Sequence, residues 1–181
     1  DFAIARLGLP VRNVVAGLDS KEFFCPGSTL RVRIDNTHPL AYGMPAEGLV
    51  LFHYSPAFDV VATDFNHRNE IVVRYADRDV ERSGWLNGEK YIAGRTAMAS
   101  VGLGQGKVVL IGFRTQNRAQ THGTYKFLFN ALVAGRGGDA FLEVRTSLDL
   151  GDLRIGQAFK IQDAPAARHV GHRLDINTIV S

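Results

Sequence analysis

The chain has a single cysteine, no long apolar run and no cluster of basic residues, and each shortage excludes a class of protein. Cys25 is the only cysteine in 181 residues, which excludes an internal disulfide framework and a zinc site built from several cysteines. No apolar stretch approaches the roughly 20 residues that a membrane-spanning helix needs. The chain opens at Asp1 without a methionine, so we expect a fragment or a processed product.

Charge is also unremarkable in amount and in distribution. The 21 lysines and arginines exceed the 18 acids by three, and the sequence pI is about 9.2. The basic residues are scattered along the chain, whereas nucleic-acid interfaces gather them in patches or stripes. We therefore expect no nucleic-acid partner. Hydrophobic residues make up 45% of the chain, which is enough for one domain with its own core.

The stretch from Gly104 to Val133 predicts a strand, a loop and a helix. Four apolar residues, Val108–Ile111, lie between glycines, a pattern typical of a strand buried on both faces. Farther on, one predicted helix face consists of Tyr125, Leu128, Phe129 and Leu132. Such a unit repeats in layered α/β domains, where ligands bind at the carboxyl ends of strands.

Other strands are predicted from alternation and from apolar runs. They cover Leu30–Ile34, Leu49–Tyr54, Phe58–Ala62 and Glu70–Tyr75. After Val133 a glycine-rich segment changes the character of the sequence. We therefore predict an α/β domain over residues 1–134, followed over 135–181 by a β-rich extension or a tail.

Five segments together resemble an accessory domain of a known family. They are residues 24–32 (FCPGSTLRV), 38–45 (HPLAYGMP), 83–89 (SGWLNGE), 106–114 (GKVVLIGFR) and 122–132 (HGTYKFLFNAL). The set resembles the amidotransferase-like α/β domain that follows the catalytic domain in some bacterial zinc carboxypeptidase-like proteins. The resemblance covers about residues 1–133.

The resemblance implies both a fold and a role. The implied fold is a flavodoxin-like, class I amidotransferase-like sheet with helices on both faces, whose first strands would lie upstream of Asp1. The implied role is a non-catalytic accessory domain that packs on a catalytic domain absent from this chain. Zinc is then expected in that catalytic domain and no cofactor in this chain. An exported parent and self-association through the truncated sheet are further expectations.

Two stand-alone hydrolase readings compete with this role. His67-x-x-Glu70 has the HxxE spacing of a carboxypeptidase zinc site, and His122 is the nearest third ligand. Alternatively, Cys25 could act as a nucleophile with His122 as its base. Pro26 follows that cysteine directly and no glycine-flanked elbow surrounds it, which favours an incidental thiol.

The loop after the central strand offers a binding site instead. Arg114, Gln116, Arg118 and His122 follow the strand and precede a helix, so they could hold a carboxylate or a phosphate. The alternative is a structural role, in which the arginines pair with local acids or contact the catalytic domain. We expect the Trp85 side chain to fill the edge of the core. The alternative is that it forms a stacking platform for a sugar or a base.

Overall fold

The computed structural model describes residues 1–61, 68–119 and 122–134, together with the backbone of strands at 140–143 and 158–160. Two α-helices, α1 (Phe2–Leu7) and α2 (Tyr125–Ala134), lie near the ends of this region. The strands are β1 (Val11–Asn13), β2 (Ser28–Ile34), β3 (Glu47–Phe52), β4 (Phe58–Val60), β5 (Asn69–Tyr75), β6 (Glu81–Ser83), β7 (Thr96–Leu103), β8 (Gly106–Ile111), β9 (Ala140–Glu143) and β10 (Ala158–Lys160). Short 3-10 turns occupy Pro39–Ala41, Glu89–Tyr91 and His122–Thr124.

All the described strands belong to one sheet. Its main path runs β10-β9-β8-β7-β5-β2-β3, while β4 joins β1 to β7 and β6 pairs with β2. Every ladder is antiparallel apart from that between β8 and β9. The path also curls back on itself, because the amide of Arg114, just after β8, donates to the carbonyl of Leu51 on β3 at 2.9 Å. Strands β2, β3, β5, β7 and β8 thus enclose a barrel-like core.

The core has two parts, one on each face of β7 and β8. Side chains of Val109 and Ile111 enter the larger cluster with Leu30, Phe52 and Tyr75. Neighbouring side chains on the opposite face enter a second cluster, which α1, β1 and β4 cover: Val108 and Leu110 with Leu9, Val11 and Phe58. Strand β8 is therefore buried on both faces, as its apolar run predicts.

The predicted three-layer flavodoxin-like α/β fold is wrong. Such a fold needs parallel strands joined by crossover helices, and each crossover takes about a dozen residues or more. Here a tight turn at Gly104, with φ +58°, joins β7 directly to β8 as an antiparallel hairpin. Between β2 and β8 the described residues contain 3-10 turns and no α-helix. Strands upstream of Asp1 were expected only as part of that fold.

Individual elements agree better with the sequence. The strands predicted around Leu30–Ile34, Glu70–Tyr75 and Val108–Ile111 are confirmed as β2, β5 and β8. A helix follows the central strand, and β9 then returns parallel to β8, so one β-α-β unit exists within an otherwise antiparallel sheet. Strand β9 extends the sheet past residue 134, and the domain division placed there stays a prediction. In the described part of the chain no helix is long and apolar enough to cross a membrane.

Candidate functional site

The loop after β8 is held at its base by two contacts. The Arg114 guanidinium donates to Nδ1 of His53 at 2.8 Å, so the proton of that neutral imidazole is on Nε2. The Thr124 hydroxyl donates to the carbonyl of Thr115 at 2.8 Å, and both threonines are buried. The first contact joins the segment after β8 to the residue that follows β3, and the second brings it next to the start of α2.

The four predicted ligand-binding residues have different surroundings. Arg114 is half-buried against His53. Gln116 and Arg118 are exposed, and Arg118 has a left-handed backbone with φ +51°. His122 is exposed in the turn before α2, its ring 5.5 Å from that of Tyr125. The described contacts thus assign Arg114 and His122 to different neighbours, and anion binding by this loop stays a prediction.

The zinc alternative depends on a carboxylate that already has two partners. In Glu70, Oε2 lies 3.3 Å from Nε2 of His38 and Oε1 lies 3.3 Å from Nε of Arg68. Nδ1 of His38 accepts from the amide of Leu40, so Nε2 carries the proton and donates to Glu70. His67 lies outside the described residues.

Within the described ranges, no three His, Cys, Asp or Glu side chains lie close enough together to hold a metal ion. His122, the remaining member of the predicted zinc set, packs against Tyr125. Zinc binding through His67, Glu70 and His122 thus stays a prediction, as does the zinc that the resemblance assigns to a separate catalytic domain.

The environment of Cys25 opposes nucleophilic chemistry. Its side chain is buried within the main core cluster. Burial raises the pKa of the Cys25 thiol to about 11, with a side-chain hydrogen bond between Cys25 and Ser28 opposing the shift and the Glu81 carboxylate adding to it. Activated cysteines have the opposite property, a pKa lowered by nearby cations or helix N-termini. The thiol is therefore protonated at neutral pH.

We expect Cys25 to resist alkylation in the folded chain. Incubation with iodoacetamide at pH 8, followed by mass spectrometry, should leave the native thiol unmodified under conditions that label the urea-unfolded chain completely. Both the burial and the raised pKa act in this direction. Equal labelling rates in the native and unfolded states would revive the Cys25/His122 alternative.

A row of aromatic rings, which the sequence does not reveal, lies on the surface. Trp85 meets Phe24 edge to face at 6.1 Å between centroids, Phe24 meets Tyr54 at 6.5 Å, and Tyr54 meets His53 at 5.1 Å. Trp85 is 67% exposed and Tyr54 63% exposed, so Trp85 does not plug the core edge. The rings come from three distant segments, and only the isolated tryptophan gave a sequence signal.

Helix α2 presents a second apolar surface, its outer face, which we define as Tyr125, Phe129, Leu132 and Val133. Spacing at i, i+4, i+7 and i+8 places these residues in one stripe. The last three are exposed, while Phe127 and Ala131 on the opposite side enter the core. The sequence predicted an apolar face containing Phe129 and Leu132, but the buried face is the one with Phe127.

Comparison with known proteins adds no relative, since no family model, curated protein sequence or solved structure matches the chain.

Proposed function

We propose that this chain is a non-catalytic accessory domain that packs on the catalytic domain of a zinc metallocarboxypeptidase-like hydrolase. The contact surface in this proposal is the outer face of α2. The five motifs that resemble such accessory domains support the identity of the partner. This chain does not have the flavodoxin-like fold that the resemblance implies. The proposal therefore rests on the motifs and on the surface chemistry of α2.

The observation that carries the proposal is the direction of the polar side chains of α2. Only Lys126 and Asn130 are polar among the nine residues after Tyr125. Lys126 Nζ donates to the carbonyl of Gly43 at 2.7 Å, and Asn130 Nδ2 donates to the carbonyls of Leu40 and Tyr42. Both polar side chains thus bond within the chain, which leaves the Tyr125 hydroxyl as the one polar side-chain group of the outer face.

A helix with this pattern is expected to bury its exposed apolar face against another protein surface. Helices that are apolar on nearly all sides are normally buried on all sides, and contiguous exposed apolar patches mark sites of protein contact. The aromatic rings of Tyr125 and Phe129 lie edge to face at 6.4 Å, so the two rings of the outer face contact each other. A catalytic domain packed there would bury Phe129, Leu132 and Val133 together.

Self-association of the isolated chain tests the outer face. Without its partner, the chain should form oligomers as its concentration rises, and Phe129→Glu should return it to a monomer because a carboxylate cannot be buried unpaired. Sedimentation velocity measures both effects. Phe2→Glu is the matched control, since Phe2 is 61% exposed on α1 and Phe129 is 59% exposed on α2.

A second experiment tests the identity of the partner. A purified zinc carboxypeptidase-like catalytic domain should form a one-to-one complex with the wild-type chain and with Phe2→Glu, but not with Phe129→Glu. A chain that is monomeric at every concentration and ignores the catalytic domain would contradict the proposal. So would equal effects of the two substitutions.

A further inference from the structure

The aromatic row borders a cleft of about 330 Å³ with uncharged walls. Phe24 and Tyr54 belong to both the row and the cleft, and Asn13, Val15 and Ser55 are among the other lining residues. None of the lining residues is acidic or basic. Volumes of this order suit small ligands or a short peptide segment. The lack of charge argues against phosphate-bearing ligands, because nucleic acids are held by lysines and arginines.

The backbone holds the two exposed rings in fixed positions. The Ser28 hydroxyl accepts from the amide of Trp85 at 2.9 Å and donates to its carbonyl at 2.8 Å. Gly84, with φ +114°, lies so close that a Cβ there would be 2.8 Å from the Cα of Ser28. Trp85 is therefore anchored through its backbone while its indole is in solvent.

Tyr54 is held in an uncommon backbone conformation. Its φ of +46° is left-handed, a region that costs energy for a bulky side chain, and its amide donates to the carbonyl of Cys25. Strained residues of this kind cluster at ligand-binding sites. The conformation directs an amphipathic ring outward beside the cleft.

The two exposed rings, Trp85 and Tyr54, each carry a hydrogen-bond donor. No described residue accepts from the Trp85 indole N–H, and none bonds to the Tyr54 hydroxyl. Two side-chain acceptors that line the cleft already have backbone partners: Asn13 Oδ1 accepts from the amides of Val15 and Ala57, and Ser55 Oγ bonds to the backbone of His53. A fitting ligand supplies acceptors to the indole N–H and the phenol.

We propose that the aromatic row and its cleft bind a proline-rich peptide segment in the polyproline II conformation. Proline has no N–H, so such a segment presents carbonyl acceptors and no donors on its proline residues, matching the indole and phenol donors. Its uncharged rings pack on aromatic grooves, and its preformed helix loses little entropy on binding. Neighbouring rings of the row are 6.1 and 6.5 Å apart, close to the roughly 6 Å that two residues of this helix span.

A saccharide fits the same surface less well. Each sugar hydroxyl is both a donor and an acceptor, and two of the cleft's side-chain acceptors, Asn13 Oδ1 and Ser55 Oγ, are already bonded to backbone amides. Buried hydroxyls without acceptors weaken binding. The peptide is therefore the ligand class that we assign, and binding of a sugar becomes one outcome of the test.

Titration of the full chain with fluorescein-labelled decaproline tests the proposal. We expect a saturable rise in fluorescence anisotropy, and with unlabelled decaproline a saturable change in the emission of Trp85, the only tryptophan. A (Gly-Ser)5 decapeptide should cause neither change. Absence of decaproline binding up to about 1 mM, the weak end of measurable affinity, would overturn the proposal. A response to maltohexaose with none to decaproline would overturn it equally.

Variants separate the ring contacts from general effects on folding. Tyr54→Asn removes the ring yet tolerates the left-handed backbone, and Trp85→Ala removes the indole from its anchored loop. Each should weaken decaproline binding about tenfold or more, as expected for aromatic anchors. Tyr54→Phe should weaken it less, since only the hydroxyl is lost. Tyr42→Ala, which removes an aromatic ring that is 79% exposed and lines neither the cleft nor the outer face of α2, should bind like the wild type, and equal weakening there would contradict the assigned site.

Discussion

Phe127→Ala is expected to lower the free energy of unfolding by about 3–5 kcal/mol, the usual cost of truncating a buried aromatic residue. Phe127 has 0% exposure, and its ring meets that of Phe113 at 5.5 Å. The substitution leaves a cavity where α2 packs on the barrel-like core. Because small domains have total stabilities of about 5–15 kcal/mol, this loss is a large fraction of the whole.

Phe129→Ala is the matched control, two residues away on the same helix. Phe129 is 59% exposed, so its truncation should change stability by no more than about 0.5 kcal/mol. Urea titrations of both variants, followed by far-UV circular dichroism at a concentration where the chain is monomeric, give the two values. Equal losses, or a larger loss for Phe129→Ala, would mean that the helix buries the face predicted from the sequence.

The sequence alone could not identify the buried face of α2. Its apolar residues occupy most directions around the axis, so two different sets satisfy helical spacing equally well. Polar residues would normally mark the solvent side. Here Lys126 and Asn130 instead donate to carbonyls of the 39–43 segment, a long-range contact that local periodicity does not contain. The helix was predictable, but its orientation was not.

The same limit explains the error in fold class. Alternation and apolar runs identify β2, β5 and β8 because they report burial, which is a local property of each strand. Burial on both faces of β8 suggested a parallel sheet covered by helices. In the structure one face meets the barrel-like core and α1 with β1 and β4 covers the other. The short turn at Gly104 was the better guide to topology.

The aromatic row shows why candidate sites are harder to predict than strands. Phe24, Tyr54 and Trp85 are separated by about thirty residues each, and nothing in their local sequence links them. Tertiary contacts bring them together, including the backbone pairing of Phe24 with Asn87. A left-handed aromatic residue such as Tyr54 is equally invisible in a sequence, since glycine and asparagine are the usual signals.

Alkaline pH is expected to destabilise the fold through two buried groups. Burial raises the pKa of Cys25 from 9.0 to about 11, and burial, with a smaller effect of Cys25, raises the pKa of Tyr75 well above 10. The Tyr75 hydroxyl donates to the carbonyl of Gly112 at 2.7 Å in the centre of the core, and the charged form could not make this bond. Both groups are neutral in the native state and ionise more easily in the unfolded state.

The sign of the effect follows from linkage, because a raised native pKa favours unfolding once the unfolded group loses its proton. Stability should be constant up to about pH 8 and then fall, with the contribution of Cys25 lost between pH 9 and about 11. At 1.36 kcal/mol per unit, a shift of this size corresponds to about 3 kcal/mol. Urea midpoints measured from pH 7 to 11 should show the decline. Cys25→Ala should remove the part that begins near pH 9. Tyr75→Phe should remove the part above pH 10, and at neutral pH it should lower stability by about 1–3 kcal/mol, since the carbonyl of Gly112 loses its buried donor. A decline that persists unchanged in both variants would place its origin in other groups and contradict the burial of these two.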